Sequence, residues 1–201
     1  MTPAPGRQRY VDRARVAMRE SILRAVEELI RDRGWEATRM ADVADRAGVS
    51  RQTLYQLYGS RDALAQAYVL SETELFLGTV VDAVRGRADD PLAAIEAGLD
   101  AFLTGAADSV MVKAILQGHA GDELLPLVTT QGLPVIQVAE RALTDVIAEL
   151  WPQIQADDAR LFAGSIVRLA ISHVTAPTGT PDATVKDIVR LLTPFAVQAL
   201  S

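Results

Sequence analysis

A chain of 201 residues with 49% apolar and 23% charged side chains can bury a core and fill one or two domains, which excludes disordered, collagen-like and low-complexity readings. No cysteine occurs, so disulfides, thiol catalysis, iron–sulfur clusters and cysteine zinc sites are excluded, and the two histidines leave little for metal or triad chemistry. The net charge of −6 is unevenly placed: residues 1–70 carry 12 Arg against 9 Asp and Glu, a net of +3, and residues 71–201 carry 8 Lys and Arg against 17 Asp and Glu, a net of −9.

Apolar residues recur at three- and four-residue steps along nearly the whole chain, and no β-branched run alternates with polar residues over a strand length, so an all-α fold of about nine helices is expected. A first helix over about 12–33 carries Ile22, Val26, Leu29 and Ile30 on one stripe and ends at Gly34 behind the cations Arg31 and Arg33. Thr38 suits the N-cap of a short second helix with Met40, Val43, Ala44 and Ala47, and Gly48 stops it. Ser50 caps a third helix, and Gly59-Ser60 separates it from a long fourth one bearing Leu64, Tyr68, Leu75, Phe76, Val80 and Val84, which closes at Gly86. Further helices are expected near 91–106, 109–119, 134–151, 157–175 and 182–199, with a short piece at 122–128 and a Pro- and Gly-containing linker at 176–181. No internal repeat is visible. The start MTPAPGRQRY has no apolar run behind it and no stretch approaches a membrane span, so a soluble, cytoplasmic protein is expected.

The two short helices joined by Ala47-Gly48-Val49-Ser50 have the form of a helix-turn-helix, which a plain αα-hairpin shares. The third helix separates the two. At about 100° per residue from Arg51, Leu54, Leu57 and Tyr58 fall in one arc, with Tyr58 assigned to packing, while Arg51, Gln52, Thr53, Tyr55 and Gln56 fall in the other. That second arc has hydrogen-bonding side chains and no carboxylate. It suits the major groove, where Arg pairs with guanine and Gln with adenine, while hydroxyls reach phosphates. Phosphate contacts are expected at the helix starts Thr38 and Ser60, with Arg39 and Arg61 beside them. Six arginines between residues 7 and 24 form a basic arm that reads either as a backbone or minor-groove contact or as a solvated tail.

The stretch ATRMADVADRAGVSRQTLYQLYGSRDAL, residues 37–64, resembles the N-terminal DNA-binding domain of the TetR family of bacterial transcriptional regulators in order and spacing. With the first helix, the resemblance covers roughly residues 12–70. It implies a helix-turn-helix domain over 1–60 and a helical effector-binding and dimerisation domain over 61–201. It implies a recognition helix over 51–58, phosphate-binding hydroxyls at Thr38, Thr53 and Tyr55 and a basic contact at Arg61, and together with the reading of the residues gives the expected DNA contacts Thr38, Arg39, Ser50, Arg51, Gln52, Thr53, Tyr55, Gln56 and Arg61. Two positions depart from the family pattern: Ala41 stands where arginine is frequent, and Leu57 where histidine is frequent.

In the acidic body, Phe76, Phe102, Met111, Leu116 and Phe162 read either as core or as the lining of a cavity for a small apolar or aromatic effector, with Gln117, His119 and His173 as polar handles. His119 and Glu123 have i, i+4 spacing, but Gly121 intervenes and no third ligand is evident, so no metal site and no cofactor are expected. No phosphate-binding loop, nucleophile elbow or dinucleotide fingerprint occurs, and an enzyme is not expected. The last two helices carry more apolar surface than one contact face needs, with Leu161, Ile166 and Leu169 on one and Val185, Ile188, Leu192 and Phe195 on the other; the resemblance implies that this pair meets its twofold mate in a homodimer reading a double-stranded operator with half-sites roughly 34–36 Å apart. The function expected is a repressor released by its effector. An activator with the same head and a helical protein–protein module are the alternatives.

Overall fold

The computed structural model describes residues 5–116 and 121–200, with side chains from 13 to 116 and from 123 to 200. Among them are ten helices: α1 (Pro5–Arg33), α2 (Met40–Ala47), α3 (Arg51–Tyr58), α4 (Arg61–Arg85), α5 (Pro91–Asp108), α6 (Val110–Leu116), α7 (Gly121–Val128), α8 (Leu133–Leu150), α9 (Ala156–Thr175) and α10 (Pro181–Ala199). The expected all-α architecture is therefore present, with the short α7 standing as a helix of its own. The larger difference is at the start. Helix α1 begins at Pro5, so the backbone of the basic arm is its first turns. Proline suits a first turn, and the Arg, Gln and Ala after it favour helix.

The stripe Ile22, Val26, Leu29 and Ile30 is buried, and α2 turns Met40, Val43 and Ala44 onto it. Arg46 ties the outside of this contact, reaching Glu28 at 3.0 Å and Asp32 at 3.3 Å. Leu54, 0% exposed, pins α3 to the same core. Burying such a side chain is worth about 1.5–3 kcal/mol, enough to hold an eight-residue helix that could not persist alone. The cluster continues into Leu64, Tyr68 and Val69 of α4 and reaches Ile115, Leu124, Leu127 and Val135.

The N-cap of α2 is Arg39, not Thr38. The Thr38 hydroxyl instead donates to the Gly34 carbonyl at 2.8 Å, completing the end of α1, and Thr38 is 1% exposed. Asp42 supplies the cap, accepting from the Arg39 backbone N–H at 3.0 Å.

In the body, α4 and α5 pack face to face, with the rings of Phe76 and Phe102 5.2 Å apart. The Trp151 indole donates to the Ala88 carbonyl at 3.1 Å, fixing the end of α8 over the α4–α5 turn. Helix α10 lays Val185, Ile188 and Leu192 on Leu99 and Leu103 of α5. These three α10 residues, expected at a dimer interface, are thus covered within one protomer. Phe195 stacks on Phe162 of α9, and Leu191 and Val197 on the rest of α10 stay exposed.

Candidate nucleic-acid interface

The α2–α3 turn is set by Gly48, whose φ of +69° places it in the left-handed region that a Cβ disfavours. Its N–H and that of Val49 bond back to the last turn of α2, so the chain reverses within two residues. Ser50 then caps α3, accepting from the Thr53 N–H at 3.0 Å. The hydroxyls of Ser50 and Thr53 are 2.8 Å apart and hydrogen-bonded to each other.

Arg51, Gln52, Tyr55 and Gln56 are exposed on one face of α3, Thr53 is half-buried, and Leu54, Leu57 and Tyr58 face the core. The division follows the arcs expected from the sequence. Burial pushes the Tyr58 hydroxyl above the usual phenol range, with nearby Arg19 opposing the shift, as suits a packed ring. Arg39 is exposed beside this face, and Ser60 caps α4, accepting from the Ala63 N–H at 3.1 Å.

Arg61 is placed differently from its expected role. Its guanidinium folds inward, donating to the Thr38 carbonyl at 3.0 Å and to the Trp35 carbonyl at 2.6 Å, and it lies over the Trp35 ring. It also pairs with the Glu123 carboxylate, which in turn accepts from the Trp35 indole N–H at 2.7 Å. Thr38 and Arg61 therefore hold the start of α2 against α4 and α7 rather than facing solvent. Sequence spacing relates Glu123 only to His119, four residues away. Its partners Arg61 and Trp35 lie 62 and 88 residues away, and no local pattern signals such a contact.

The body contains a cavity of about 560 Å³. Phe76, Phe102, Met111, Leu116 and Phe162 all line it, from α4, α5, α6 and α9. His173 is half-buried but does not line it, although its neighbours Val174 and Thr175 do, because successive helical residues point about 100° apart. Gln117 and His119 lie outside the described residues. Among the described residues, no group of three or more His, Asp or Glu converges as a metal site requires. No described helix is long and apolar enough to cross a membrane.

Residues 22–68 match the family described as "Bacterial regulatory proteins, tetR family", and residues 90–194 match "Bacterial Tetracyclin repressor, C-terminal domain". The chain belongs to the TetR family. It is a helix-turn-helix, DNA-binding transcriptional regulator, and its relatives are regulators rather than enzymes. It is 34% identical over 187 residues to the transcriptional regulator AlkX of Mycobacterium tuberculosis, covering 93% of this chain and 89% of that one. It is 31% identical over 175 residues to the transcriptional activator FasR of Mycolicibacterium smegmatis, covering 84% and 76%. Among solved structures, the TetR family repressor AlkX from a Dietzia strain, implicated in biodegradation of n-alkanes, superposes with a TM-score of 0.81 at 33% identity, covering 90% of this chain and 98% of that one. In TetR terms α3 is the recognition helix, and the helices from α5 onward form the bulk of the C-terminal domain.

Proposed function

We propose that the protein is a cytoplasmic, dimeric repressor that binds a near-palindromic operator and is released by a small apolar effector held in the body cavity. The observation that carries the DNA-reading part is the exposed, carboxylate-free face Arg51, Gln52, Tyr55 and Gln56 on a helix that only Leu54, Leu57 and Tyr58 hold down. Arg, Gln and Tyr there match base edges and phosphates. Arg39 and the basic first turns of α1 add charge for the backbone. Thr38 and Arg61 are left out of this contact set, because both are engaged inward.

The cavity supports release by a ligand, since its volume suits a small molecule and its lining is largely apolar. The similarity to a repressor implicated in n-alkane biodegradation favours a chain-like hydrocarbon derivative. Helix α4 starts against the recognition helix and runs along the cavity, so a ligand that binds one tilt of α4 better than another changes the spacing of two heads. A coupling of about 1–3 kcal/mol shifts operator affinity roughly 5–150-fold. The two heads require a dimer, as is typical of TetR regulators. Exposed Leu161 on α9 and Leu191 on α10 offer the apolar surface for it.

Selection and sequencing of genomic fragments bound by the purified protein tests the reading. A recurrent palindrome with half-sites one helical turn or a multiple apart is expected. Binding without sequence preference at physiological salt would refute it. A second reading, activation by the same head, is favoured by the relative named as an activator. Operators lying upstream of, rather than overlapping, their promoters would support that reading.

A further inference from the structure

The body cavity is long. Helix α4 lines it from Glu72 to Val84, α5 from Ile95 to Asp108, α8 from Val135 to Ile147 and α9 from Phe162 to Thr175, twelve or thirteen steps along each. At about 1.5 Å per step it extends roughly 18–20 Å. Helix α4 starts beside the recognition helix, so Val84, Ile95, Ile147 and Phe162 mark the end remote from the DNA-reading unit, where Trp151 joins them. A zigzag hydrocarbon with carbon–carbon bonds of about 1.5 Å advances about 1.3 Å per carbon, so roughly fourteen carbons span that length.

Behind the remote end is a second, largely apolar cavity of about 30 Å³, walled on its far side by the last turns of α10. Four residues line both cavities, namely Ile95, Ile147, Trp151 and Phe162. The partition between the two is therefore one side chain thick. Three of its members are held in place. The Trp151 indole donates to the Ala88 carbonyl at 3.1 Å, and both isoleucines are β-branched, which restricts the first side-chain torsion. Phe162 is half-buried and turns on two torsions. What restrains it is the ring of Phe195, which also lines the second cavity, with centroids 6.0 Å apart and planes 12° from parallel. Stacking on a neighbour leaves a ring freer to swing than a hydrogen bond to the backbone does.

We propose that Phe162 is the plug that sets the length of the effector chain, closing the main cavity at its remote end and opening the second compartment when it leaves Phe195. This rests on the reading of the cavity as the site of a chain-like apolar effector and names the residue that measures the chain. Each methylene buried before the partition adds about the same affinity, close to fourfold. A longer chain must displace the Phe162 ring or leave its end in water, so the gain per carbon stops there.

Binding of straight-chain alkan-1-ols of eight to eighteen carbons to the full chain, presented on a cyclodextrin carrier and followed by calorimetry, tests the assignment. Comparing each variant with the parent chain at every length cancels the carrier. In the parent, affinity is expected to climb about fourfold per carbon and to break near fourteen carbons. Phe162→Ala removes a ring reaching about 5 Å, so the break is expected about four carbons later. Phe162→Leu, which keeps most of the packing should the alanine variant fail to fold, is expected to move it by an intermediate amount, and Phe162→Trp to bring it earlier. A merely structural role lowers affinity at all lengths alike and leaves the break in place. An unmoved break in Phe162→Leu and Phe162→Trp overturns the plug and leaves the effector cavity standing. Binding of no alcohol at any length overturns both.

Discussion

The Arg61 guanidinium lies 4.4 Å from the centroid of the Trp35 ring and donates to the carbonyl of the same residue. Trp35 is 1% exposed at the end of α1, and Arg61 opens α4, so this contact joins the first helix of the DNA-reading unit to the long helix that runs along the cavity. Glu123 of α7 bonds both partners, bringing a third element to the same point. The helix beside it in the chain, α6, lines the cavity through Met111, Ile115 and Leu116.

The inward placement of Arg61 separates two roles. Arg61→Ala is expected to lower unfolding stability by about 1–3 kcal/mol, the range for losing hydrogen bonds to a charged group and leaving partly buried carbonyls unpaired. The salt dependence of DNA binding should stay as it is in the parent chain. A slope lowered by about 1 with stability intact would instead make Arg61 a phosphate contact. Urea unfolding and fluorescence anisotropy at several salt concentrations give the two readouts.

Arg39 is expected to behave in the opposite way. It is exposed beside the recognition helix, so Arg39→Ala should leave stability nearly unchanged, weaken binding to all sequences alike, and lower the salt slope by about 1. The same pair of measurements checks it.

On the recognition helix, Gln52→Ala or Arg51→Ala should cost about 1–3 kcal/mol on the selected operator and relax the preference at one base pair. Repeating the fragment selection with each variant shows which base pair it is. An unchanged sequence profile for both variants would mean that α3 is seated by its backbone contacts and that other residues read the bases.

Assembly and internal packing are separable on α10. Ile188 is 2% exposed against α5, and Ile188→Ala should destabilise the fold by about 2–5 kcal/mol. Leu191 is 63% exposed on the same helix, and Leu191→Glu should leave each protomer folded while shifting the population toward monomer. Light scattering after size-exclusion chromatography, with circular dichroism, distinguishes the two.

Glu72 predicts a pH dependence of stability. Its folded-state carboxyl titrates above the unfolded one because burial, then Glu27, disfavours the charge. The folded state therefore loses stability as pH rises from below the ordinary glutamate range through the raised value. Glu72→Gln should thus be more stable than the parent chain at neutral pH, with the difference disappearing in acid. Thermal unfolding of both proteins across that interval checks the sign.

The sequence by itself determined what depends on near neighbours along the chain. Leu54, Leu57 and Tyr58 share one arc of α3, and Arg51, Gln52, Tyr55 and Gln56 share the other, because an α-helix repeats every 3.6 residues wherever it is placed. Gly48 marked the turn for the same local reason. Tertiary structure alone decided what each face meets. The stripe Val185, Ile188 and Leu192 has the same pattern whether it covers α5 or a second protomer, and only the packed chain selects α5. Arg61 has the same basic character whether it reaches a phosphate or turns onto Trp35 and Glu123, and that choice depends on partners 26 and 62 residues away. Helical periodicity carries no information about such distances, because the contact exists only after the helices have docked.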